Sequence, residues 1–457
     1  MYCVLFFALC LIPLAGMAVA GPSEPVANEA AAPVPQLMGE DGTVDPDFLQ
    51  DLSDCIDHRF AFRPEMITAN RTVHAALLRD STEEDVILGK DDWLFYAQTL
   101  HSYEGLDNMT PRETWCAAHI LSMVQDYCRK QGAEFLFVSA PNKNTLYGQY
   151  MPGRFPEGEG PSELEALYAA LDGESVRAAD VLTPLQKERD ILYRKHDSHW
   201  TSRGAGLAGD VILTALGQPY TPFYGGGFSP VWEEPGDLYT MLFPTGTELD
   251  RDEQYVRPFS FAYDETFHSP QDVYIRTSRP GASGQLLMFR DSFGDALHPF
   301  LAEAFGGATF CRQNPYDLGL IAEEGADTVV IELVERNLRW LIDRPAIFPA
   351  PEAEVPADPA GAEWTADIAV TAQDALPGYG LINGELNGVV PDDNSPIYIR
   401  CGSVWYEASP TGEQTFAAYI PLSSTEEMDT IAALCGGQLS GCSAVNLQEN
   451  GGNENEK

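Results

Sequence analysis

Three short, mainly apolar runs indicate that the chain is built around a buried sheet. They occupy residues 134–138, 285–289 and 327–333, and such runs are typical of parallel strands covered on both faces. Apolar residues recur at helical spacing in residues 115–128, before the first run, and in residues 203–216, between the first and the second. Strands that alternate with helices predict an α/β fold with a parallel sheet flanked by helices.

The candidate catalytic residues lie just after a predicted strand and in the loop before a predicted helix. Ser292 comes directly after the strand 285–289 and before a predicted helix, whose first N–H groups can stabilise an oxyanion. His199 lies in the loop before the helix 203–216, two residues after Asp197, and an extended loop points both side chains the same way. We therefore predict acyl transfer by a triad of Ser292 as nucleophile, His199 as base and Asp197 as its orienting group.

Three more polar residues are candidates for binding substrate or an oxyanion. Asn142 follows a predicted strand end and could join the Ser292 N–H in stabilising an oxyanion, although an Asx-type turn after Pro141 explains it equally well. Lys143 and Arg336 could bind substrate or pair with nearby carboxylates. Ligands in such sheets bind beyond the carboxyl ends of the strands, where Asn142, Ser292 and Arg336 are expected.

The segment around His199 permits two other interpretations. Asp and Ser are common caps, so Asp197 and Ser198 could simply begin a turn. His196, Asp197 and His199 could also be metal ligands, but no Cys or His with a recognisable metal spacing stands nearby. We predict no metal and no cofactor.

Several separate segments resemble the periplasmic alginate O-acetyltransferase family and its relatives with a DHHW motif. Their order and spacing carry the resemblance over residues 45–345, and the matching segments are residues 86–96, 140–147, 197–200, 291–293 and 335–336. The chain departs from the family pattern at Ser198, where Thr or His is usual, and at Arg290, where Gly is common. Neither departure removes a member of the predicted triad.

The resemblance implies an SGNH-hydrolase-like domain, in which the Asp and His precede the Ser. It also implies O-acetylation of an exported polysaccharide, with the acetyl group delivered by a membrane acyltransferase. A secreted carbohydrate esterase is the alternative enzyme, because a sugar hydroxyl or water can resolve the same acyl-enzyme. A non-catalytic glycan-binding or assembly protein is the third possibility.

The charge of the chain restricts its partners. Sixty-nine acidic residues against 27 basic ones give a net charge of −42. This balance argues against nucleic acid and against anionic membrane surfaces. It also favours a neutral glycan over an acidic one, because an acidic polymer meets long-range repulsion unless salt or a locally basic groove screens it.

Composition divides the 457 residues into two domains with flanking segments. Ala18-Val19-Ala20 resembles a cleavage site, so the protein is expected to be extracellular, cell-surface or periplasmic, or held at the membrane by this segment. The predicted units are a signal or anchor (1–20), a flexible spacer (21–45), an SGNH-hydrolase-like domain (46–342), a Pro-rich linker (343–364), a small β module (365–445) and a disordered tail (446–457).

Two features of the β module are open to test. Cys435 and Cys442 flank a Gly-rich turn and are the best candidates for a disulfide among the nine cysteines. The aromatic residues Trp405, Tyr406 and Tyr419 could stack on sugar rings, but alternating aromatics are more often core residues.

Overall fold

The computed structural model describes residues 11–13, 15–26, 33–38, 42–355, 357–443 and 447–448. Within these ranges no helix is long and apolar enough to cross a membrane. Residues 1–10 and 14 of the predicted signal or anchor lie outside the described residues, and so do residues 446 and 449–457 of the predicted tail.

Helices and strands alternate through most of the described chain. The helices are α1 Phe48–Arg59, α2 Arg63–Leu78, α3 Leu100–Tyr103, α4 Pro111–Lys130, α5 Lys143–Tyr147, α6 Glu163–Gly173, α7 Leu182–Lys187, α8 Ser202–Leu216, α9 Asp237–Leu242, α10 Gly294–Ala302, α11 Leu320–Glu323, α12 Trp340–Asp343 and α13 Leu422–Thr425. The strands up to the second sheet are β1 Val86–Leu88, β2 Leu94–Tyr96, β3 Glu134–Ala140, β4 Ala178–Ala179, β5 Phe228–Val231, β6 Asp252–Tyr255, β7 Ala262–Tyr263, β8 Tyr274–Ser278, β9 Gln285–Phe289, β10 Gly307–Cys311 and β11 Thr328–Val334.

A seven-stranded sheet forms the centre of the molecule, with the strand order β4-β3-β11-β9-β10-β8-β7. The first five strands are parallel, as predicted. Strands β8 and β7 add an antiparallel edge that the sequence pattern did not indicate. The predicted α/β class is confirmed, with a mixed rather than purely parallel sheet.

Helices cover both faces of this sheet. Alternate residues of β3, β9 and β11 pack against α4 and α6 on one face and against α8 and α10 on the other. The helix ends follow local sequence signals: Thr110 and Glu113 form a capping box at α4, and the Thr201 hydroxyl caps α8 by accepting from the Gly204 N–H. Gly217 ends α8 in the left-handed conformation.

The adjacent positions of β3, β11 and β9 determine where the polar residues collect. Because these parallel strands are neighbours, their carboxyl ends meet at one edge of the sheet. Asn142, Arg336 and Ser292 follow the three strand ends. A functional site is therefore expected at this edge of the sheet.

A second, nine-stranded sheet forms the C-terminal part of the chain, in the order β12-β19-β18-β15-β16-β17-β14-β13-β20. Its strands are β12 Ala360–Gly361, β13 Thr365–Ala372, β14 Tyr379–Asn387, β15 Ile397–Cys401, β16 Val404–Pro410, β17 Thr415–Pro421, β18 Met428–Cys435, β19 Gln438–Ser443 and β20 Leu447–Gln448. Strands β12 and β20 lie in the segments predicted as linker and tail.

The Pro-rich segment predicted as a linker packs against both sheets. Ile347 and Phe348 are buried, and bridges join Pro349 to Tyr419 and Glu352 to Tyr406. Its apolar residues supply a packing surface that the count of prolines does not reveal. The segment therefore attaches the second sheet closely to the first.

Helix α4 makes the main polar contacts between the two parts. The buried Arg112 guanidinium donates to the carbonyls of Asp392, Ser395 and Glu413. His119 lies between the carboxylates of Glu174 and Glu407, 2.8 Å from each. Burial alone lowers its pKa, but the two carboxylates together raise it to about 9, so His119 carries a charge at neutral pH.

The predicted disulfide between Cys435 and Cys442 is wrong. All seven cysteines in the described ranges are free. In the β18–β19 hairpin Cys435 lies opposite Gln438, whereas Cys442 lies opposite Ile431. Four residues of strand, about 13 Å, therefore separate the two thiols along the hairpin, well beyond the reach of a disulfide.

Candidate active site

Ser292 lies in the turn between β9 and α10. The buried strand ends at Phe289, and the Phe293 side chain anchors the turn in the core. Phe293 donates its N–H to Asp291 Oδ1, which holds the backbone on either side of Ser292. Among the described residues the Ser292 N–H itself has no hydrogen-bond partner, so this N–H remains available for an oxyanion.

The loop Arg194–Trp200 brings His199 to Ser292. A bridge between Tyr193 and Trp200 closes the loop, and the Trp200 indole donates to the Phe293 carbonyl at 3.1 Å. The His199 ring also contacts the Phe293 ring, with centroids 4.9 Å apart. The loop is thereby fastened directly to the turn that carries Ser292.

The three residues of the predicted triad form one hydrogen-bonded chain. Ser292 Oγ lies 2.8 Å from His199 Nε2, and His199 Nδ1 lies 2.8 Å from Asp197 Oδ1. The same Asp197 oxygen also accepts the His199 N–H at 2.9 Å. With Nδ1 donating to Asp197, Nε2 is left as the acceptor for the serine proton, which is the tautomer that a general base requires.

Electrostatics favour the charged forms of Asp197 and His199. Burial opposes ionisation of Asp197, but its hydrogen bonds to His199 and the Arg194 guanidinium at 3.0 Å hold its pKa well below the usual range. Burial lowers the pKa of His199, yet Asp197 and Asp237 outweigh that effect and raise it above its ordinary value. An imidazolium formed by proton transfer is therefore stabilised.

Asp237 belongs to this cluster, although sequence analysis did not identify it. Its Oδ2 lies 3.4 Å from His199 Nδ1, and its N–H donates to Asp197 Oδ2 at 3.1 Å. No motif precedes Asp237, which is brought to the site only by the fold. One atom from each of Asp197, His199 and Asp237 lies within 4.8 Å of the others, so a metal-binding role for this set has to be tested with a chelator.

His196, the other histidine of the predicted metal set, lies on the opposite side of the loop. Its ring stacks on Tyr239 with centroids 5.6 Å apart, and it lines a separate cavity together with Trp93 and Phe243. The three residues His196, Asp197 and His199 therefore do not converge on one point.

Asn142 and Lys143 do not reach the cavity beside Ser292. The buried Asn142 accepts the Arg336 N–H through Oδ1 and donates its own N–H to Glu335. The Lys143 ammonium donates to the carbonyls of Leu94, Lys195 and Asp197, at 2.7, 2.7 and 2.8 Å.

The structure therefore places the Lys143 ammonium among backbone carbonyls, and not at the cavity beside Ser292. Burial lowers its pKa to about 7. Its three hydrogen bonds instead fix the backbone that carries Asp197. Asn142 likewise joins two strand ends, because the lengths of β3 and β11 place its side chain beneath Arg336 rather than beside Ser292.

Arg336 lies at the cavity, as predicted. Its guanidinium lies over the rings of Tyr96 and Phe293, at 5.5 and 5.4 Å from their centroids. It forms no ion pair with any carboxylate in the described ranges, including the neighbouring Glu335. A stacked cation without a counter-ion, in a cavity that also contains Ser292 and His199, is well suited to bind a negative charge.

The cavity has a volume of about 590 Å³ and combines both signs of charge. Three arginines and three aspartates line it, so it does not repeat the strongly negative balance of the whole chain. Asn314 and Tyr316 also line it.

A second group of buried polar residues supports the turn at Ser292. Asp291 Oδ2 accepts from the Val334 N–H and from the Asn337 amide, while the Asp291 N–H donates to Glu332. Arg290, where the resembling family often has Gly, is buried and donates to the carbonyls of Pro270 and Asp272. The departure at Arg290 is therefore accommodated by additional hydrogen bonds to the loop before β8.

Comparisons with known proteins identify relatives of this chain. Residues 86–267 match the family model described as the SGNH hydrolase-like domain of the acetyltransferase AlgX. A "Probable alginate O-acetylase AlgJ" of Pseudomonas syringae pv. tomato is 25% identical over 212 residues, which are 45% of this chain and 51% of that protein. Its counterpart in Pseudomonas putida is 23% identical over 204 residues, 43% of this chain and 48% of that protein. The predicted resemblance is confirmed.

The matched region contains Asp197 and His199 but ends before Ser292. The chain spans about half the length of the curated relatives it matches. Two of the similar solved structures are Bacillus cereus PatB1 with a sulfonyl adduct (14% identity, TM-score 0.45, 57% of this chain and 96% of that chain) and the O-acetyltransferase domain of Pseudomonas putida AlgJ (18% identity, TM-score 0.37, 55% and 92%).

Proposed function

We propose that this protein is a serine-dependent O-acetyltransferase that acts on a hydroxyl group of an exported polysaccharide. The observation that carries the proposal is the continuous hydrogen-bonded chain from Ser292 through His199 to Asp197, at the wall of a cavity. The relatives named as alginate O-acetylases support acetyl as the transferred group.

The reaction proceeds through an acetyl-enzyme. Ser292 Oγ attacks the acetyl carbonyl of the donor while His199 Nε2 takes the hydroxyl proton. The tetrahedral intermediate collapses, the bond to the donor oxygen breaks, and His199 returns the proton to that oxygen. The acceptor hydroxyl then loses its proton to His199 and attacks the acetyl carbonyl. The second tetrahedral intermediate collapses, the bond between the acetyl carbon and Ser292 Oγ breaks, and His199 returns the proton to Ser292 Oγ.

Two groups are suited to stabilise the oxyanion. The Ser292 N–H is the first, because it has no other partner within the described chain. We propose that Arg336 takes the second position, for which the sequence suggested Asn142. Its guanidinium carries a full charge without a counter-ion in the described ranges, and it lies over the ring of Phe293, the residue after the nucleophile.

We propose that residues 46–342 form the catalytic domain and that residues 365–445 form an accessory β module. In the module, Tyr406 and Tyr419 are buried, so only Trp405 is a candidate for contact with sugar. Arg400 covers that indole, 5.3 Å from the ring centroid. A role of the module in holding the polymer rests on this one aromatic residue.

Export, the acetyl donor and the charge of the glycan belong to the same proposal. The Ala18-Val19-Ala20 sequence supports passage through a membrane, and a membrane acyltransferase is the proposed donor. A neutral glycan is favoured by the net charge of −42. A polyanionic glycan would bind better as salt rises through the screening range, whereas a neutral one is indifferent to salt.

A single experiment separates transfer from hydrolysis. The full chain is incubated with a soluble acetyl ester, with and without oligosaccharides, and the products are analysed by mass spectrometry. The proposal expects acetylated oligosaccharide, and expects none with Ser292→Ala. Acetate release that oligosaccharides neither divert nor accelerate would identify a carbohydrate esterase instead. No turnover of any ester, together with glycan binding, would indicate a binding protein.

A further inference from the structure

Asp237 is held against the loop of the predicted triad by an unusually close backbone approach. It is the first residue of α9, and the preceding Gly236 packs directly on the loop. A Cβ at Gly236 would lie 2.2 Å from the His196 carbonyl oxygen and 2.8 Å from the Asp197 nitrogen. Only glycine permits this contact, which positions the Asp237 side chain beside His199.

Ser198 joins Asp237 to the histidine. The Ser198 N–H donates to Asp237 Oδ1 at 2.7 Å, and the Ser198 hydroxyl donates to Asp237 Oδ2 at 2.6 Å. The same hydroxyl oxygen lies 3.3 Å from His199 Nδ1. Ser198 is the position at which the chain departs from the DHHW pattern, so the departure coincides with the contact to Asp237.

Two carboxylates therefore face one imidazole nitrogen. Asp197 Oδ1 lies 2.8 Å and Asp237 Oδ2 lies 3.4 Å from His199 Nδ1. Asp197 also has Arg194 as a cationic partner, at 3.0 Å. For Asp237, His199 is the only ion-pair partner in the part of the chain that the structure describes.

The other charges that face His199 come from separate elements. Arg336, after β11, opposes the imidazolium, and Asp295 on α10 contributes a more distant negative charge. Asp295 is already paired with Arg290 and lies near Arg312. Removing Asp237 thus removes the one negative charge that contacts the imidazole apart from Asp197.

We propose that Asp237 is a second carboxylate of the triad, a positioning residue that holds Ser198 and His199 and stabilises the imidazolium during acyl transfer. The expected effect of Asp237 on kinetics rests on the proposed function. Its effect on the His199 pKa can be measured without any turnover. If Asp237 stabilises the imidazolium, then the His199 pKa falls when that charge is removed. If Asp237 only caps α9 and holds the loop, the pKa stays.

The test is an NMR titration of His199 in the full-length protein with ¹³C-labelled histidine, its resonance assigned by the peak missing from His199→Gln. Asp237→Asn should lower the titration midpoint by about one pH unit. Asp92→Asn is the matched control: it removes a carboxylate whose side chain is 92% exposed, near the same loop, and should leave the midpoint unchanged.

Ser198→Ala changes the contacts of Asp237 but leaves its charge in place. It removes a competing donor from Asp237 and leaves the carboxylate free to accept from His199, so the midpoint should stay or rise. Asp237→Ser serves as a second neutral variant should the asparagine protein fail to fold. A midpoint equal to that of the wild type in either neutral variant that folds would overturn the proposal.

Kinetics add an independent readout. Because His199 must be neutral to accept the serine proton, the acid limb of kcat/KM should move to lower pH in Asp237→Asn and return in Asp237→Glu. A uniform loss at every pH, with an unshifted limb, would indicate a structural role only. If the wild type turns over no ester, the proposed function fails, and the NMR titration still decides the role of Asp237.

Discussion

The carboxyl edge of the seven-stranded sheet and the face of the nine-stranded sheet differ in the residues that line their cavities. At the first, Ser292, His199, Asp237 and Arg336 come from four separate segments to line one cavity. At the second, a cavity is lined by the acidic residues Asp343, Asp367 and Glu385 with no histidine or cysteine among the lining residues that the structure describes.

The difference follows from strand direction. Parallel strands all end at the same edge, so polar residues that are distant in sequence converge there. Antiparallel strands distribute their ends over both edges, and alternate residues of each strand enter the core. Tyr406 and Tyr419 are buried for this reason, even though they resemble sugar-binding aromatics in the sequence.

Loss of the nucleophile should have the largest effect. Ser292→Ala removes the atom that attacks the acetyl carbonyl, so kcat for a soluble acetyl ester should fall by about 10⁵-fold. The melting temperature should not change, because Ser292 packs little in the turn. Full turnover by this variant would contradict a site at the sheet edge, and Ser283 would be the next residue to examine.

The base and its orienting group should act as a unit. His199→Ala and Asp197→Ala should each lower kcat by about 10³-fold or more, and the double variant should lose about as much as the more damaging single substitution. Losses that multiply would indicate independent roles. Complete loss of activity of the wild-type enzyme on addition of a chelator would instead favour a metal held by Asp197, His199 and Asp237.

Substitution of two basic residues near the site should distinguish an effect on substrate binding from an effect on stability. Arg336→Ala should lower kcat/KM by about 10- to 100-fold without a change in stability, because the guanidinium serves the substrate or oxyanion. Lys143→Met should lower the free energy of unfolding by about 3 kcal/mol, because three buried carbonyls lose their donor. KM should stay within about twofold of the wild type. A loss of stability in Arg336→Ala, together with a loss of kcat/KM in a stable Lys143→Met protein, would show that the two roles are reversed.

The smallest effect is expected in the second sheet. Trp405→Ala should raise KM for a polymer by about threefold if the indole contacts sugar, and should leave a small ester unaffected. Tyr406→Ala is the matched control: it should lower the free energy of unfolding by about 3 kcal/mol and leave KM unchanged. An unchanged KM for the polymer in Trp405→Ala would contradict a role of the module in substrate binding.

The elements that periodicity describes were predictable. Residues 285–289 form β9 with the predicted bounds, and residues 203–216 form all but the first residue of α8. Ser292, His199 and Arg336 lie at the expected edge because strand ends determine that position. Such signals are local, and the sequence contains them directly.

The unpredicted features depend on contacts between distant segments. Lys143 resembles a substrate ligand in the sequence, and only the fold shows it enclosed by the carbonyls of two other loops. Asp237 has no local motif and reaches His199 through the packing of Gly236 on the loop. Cys435 and Cys442 are close in sequence, but the hairpin register separates them.

The proposed acetyl-enzyme is tested most directly by identifying the residue that carries the acetyl group. The wild-type protein is incubated briefly with a soluble acetyl ester and quenched in acid, and its peptides are mapped by mass spectrometry. We expect acetyl on Ser292 in the wild type and none in Ser292→Ala or His199→Ala. Acetyl on a different residue in the wild type, with ester turnover preserved in Ser292→Ala, would contradict it.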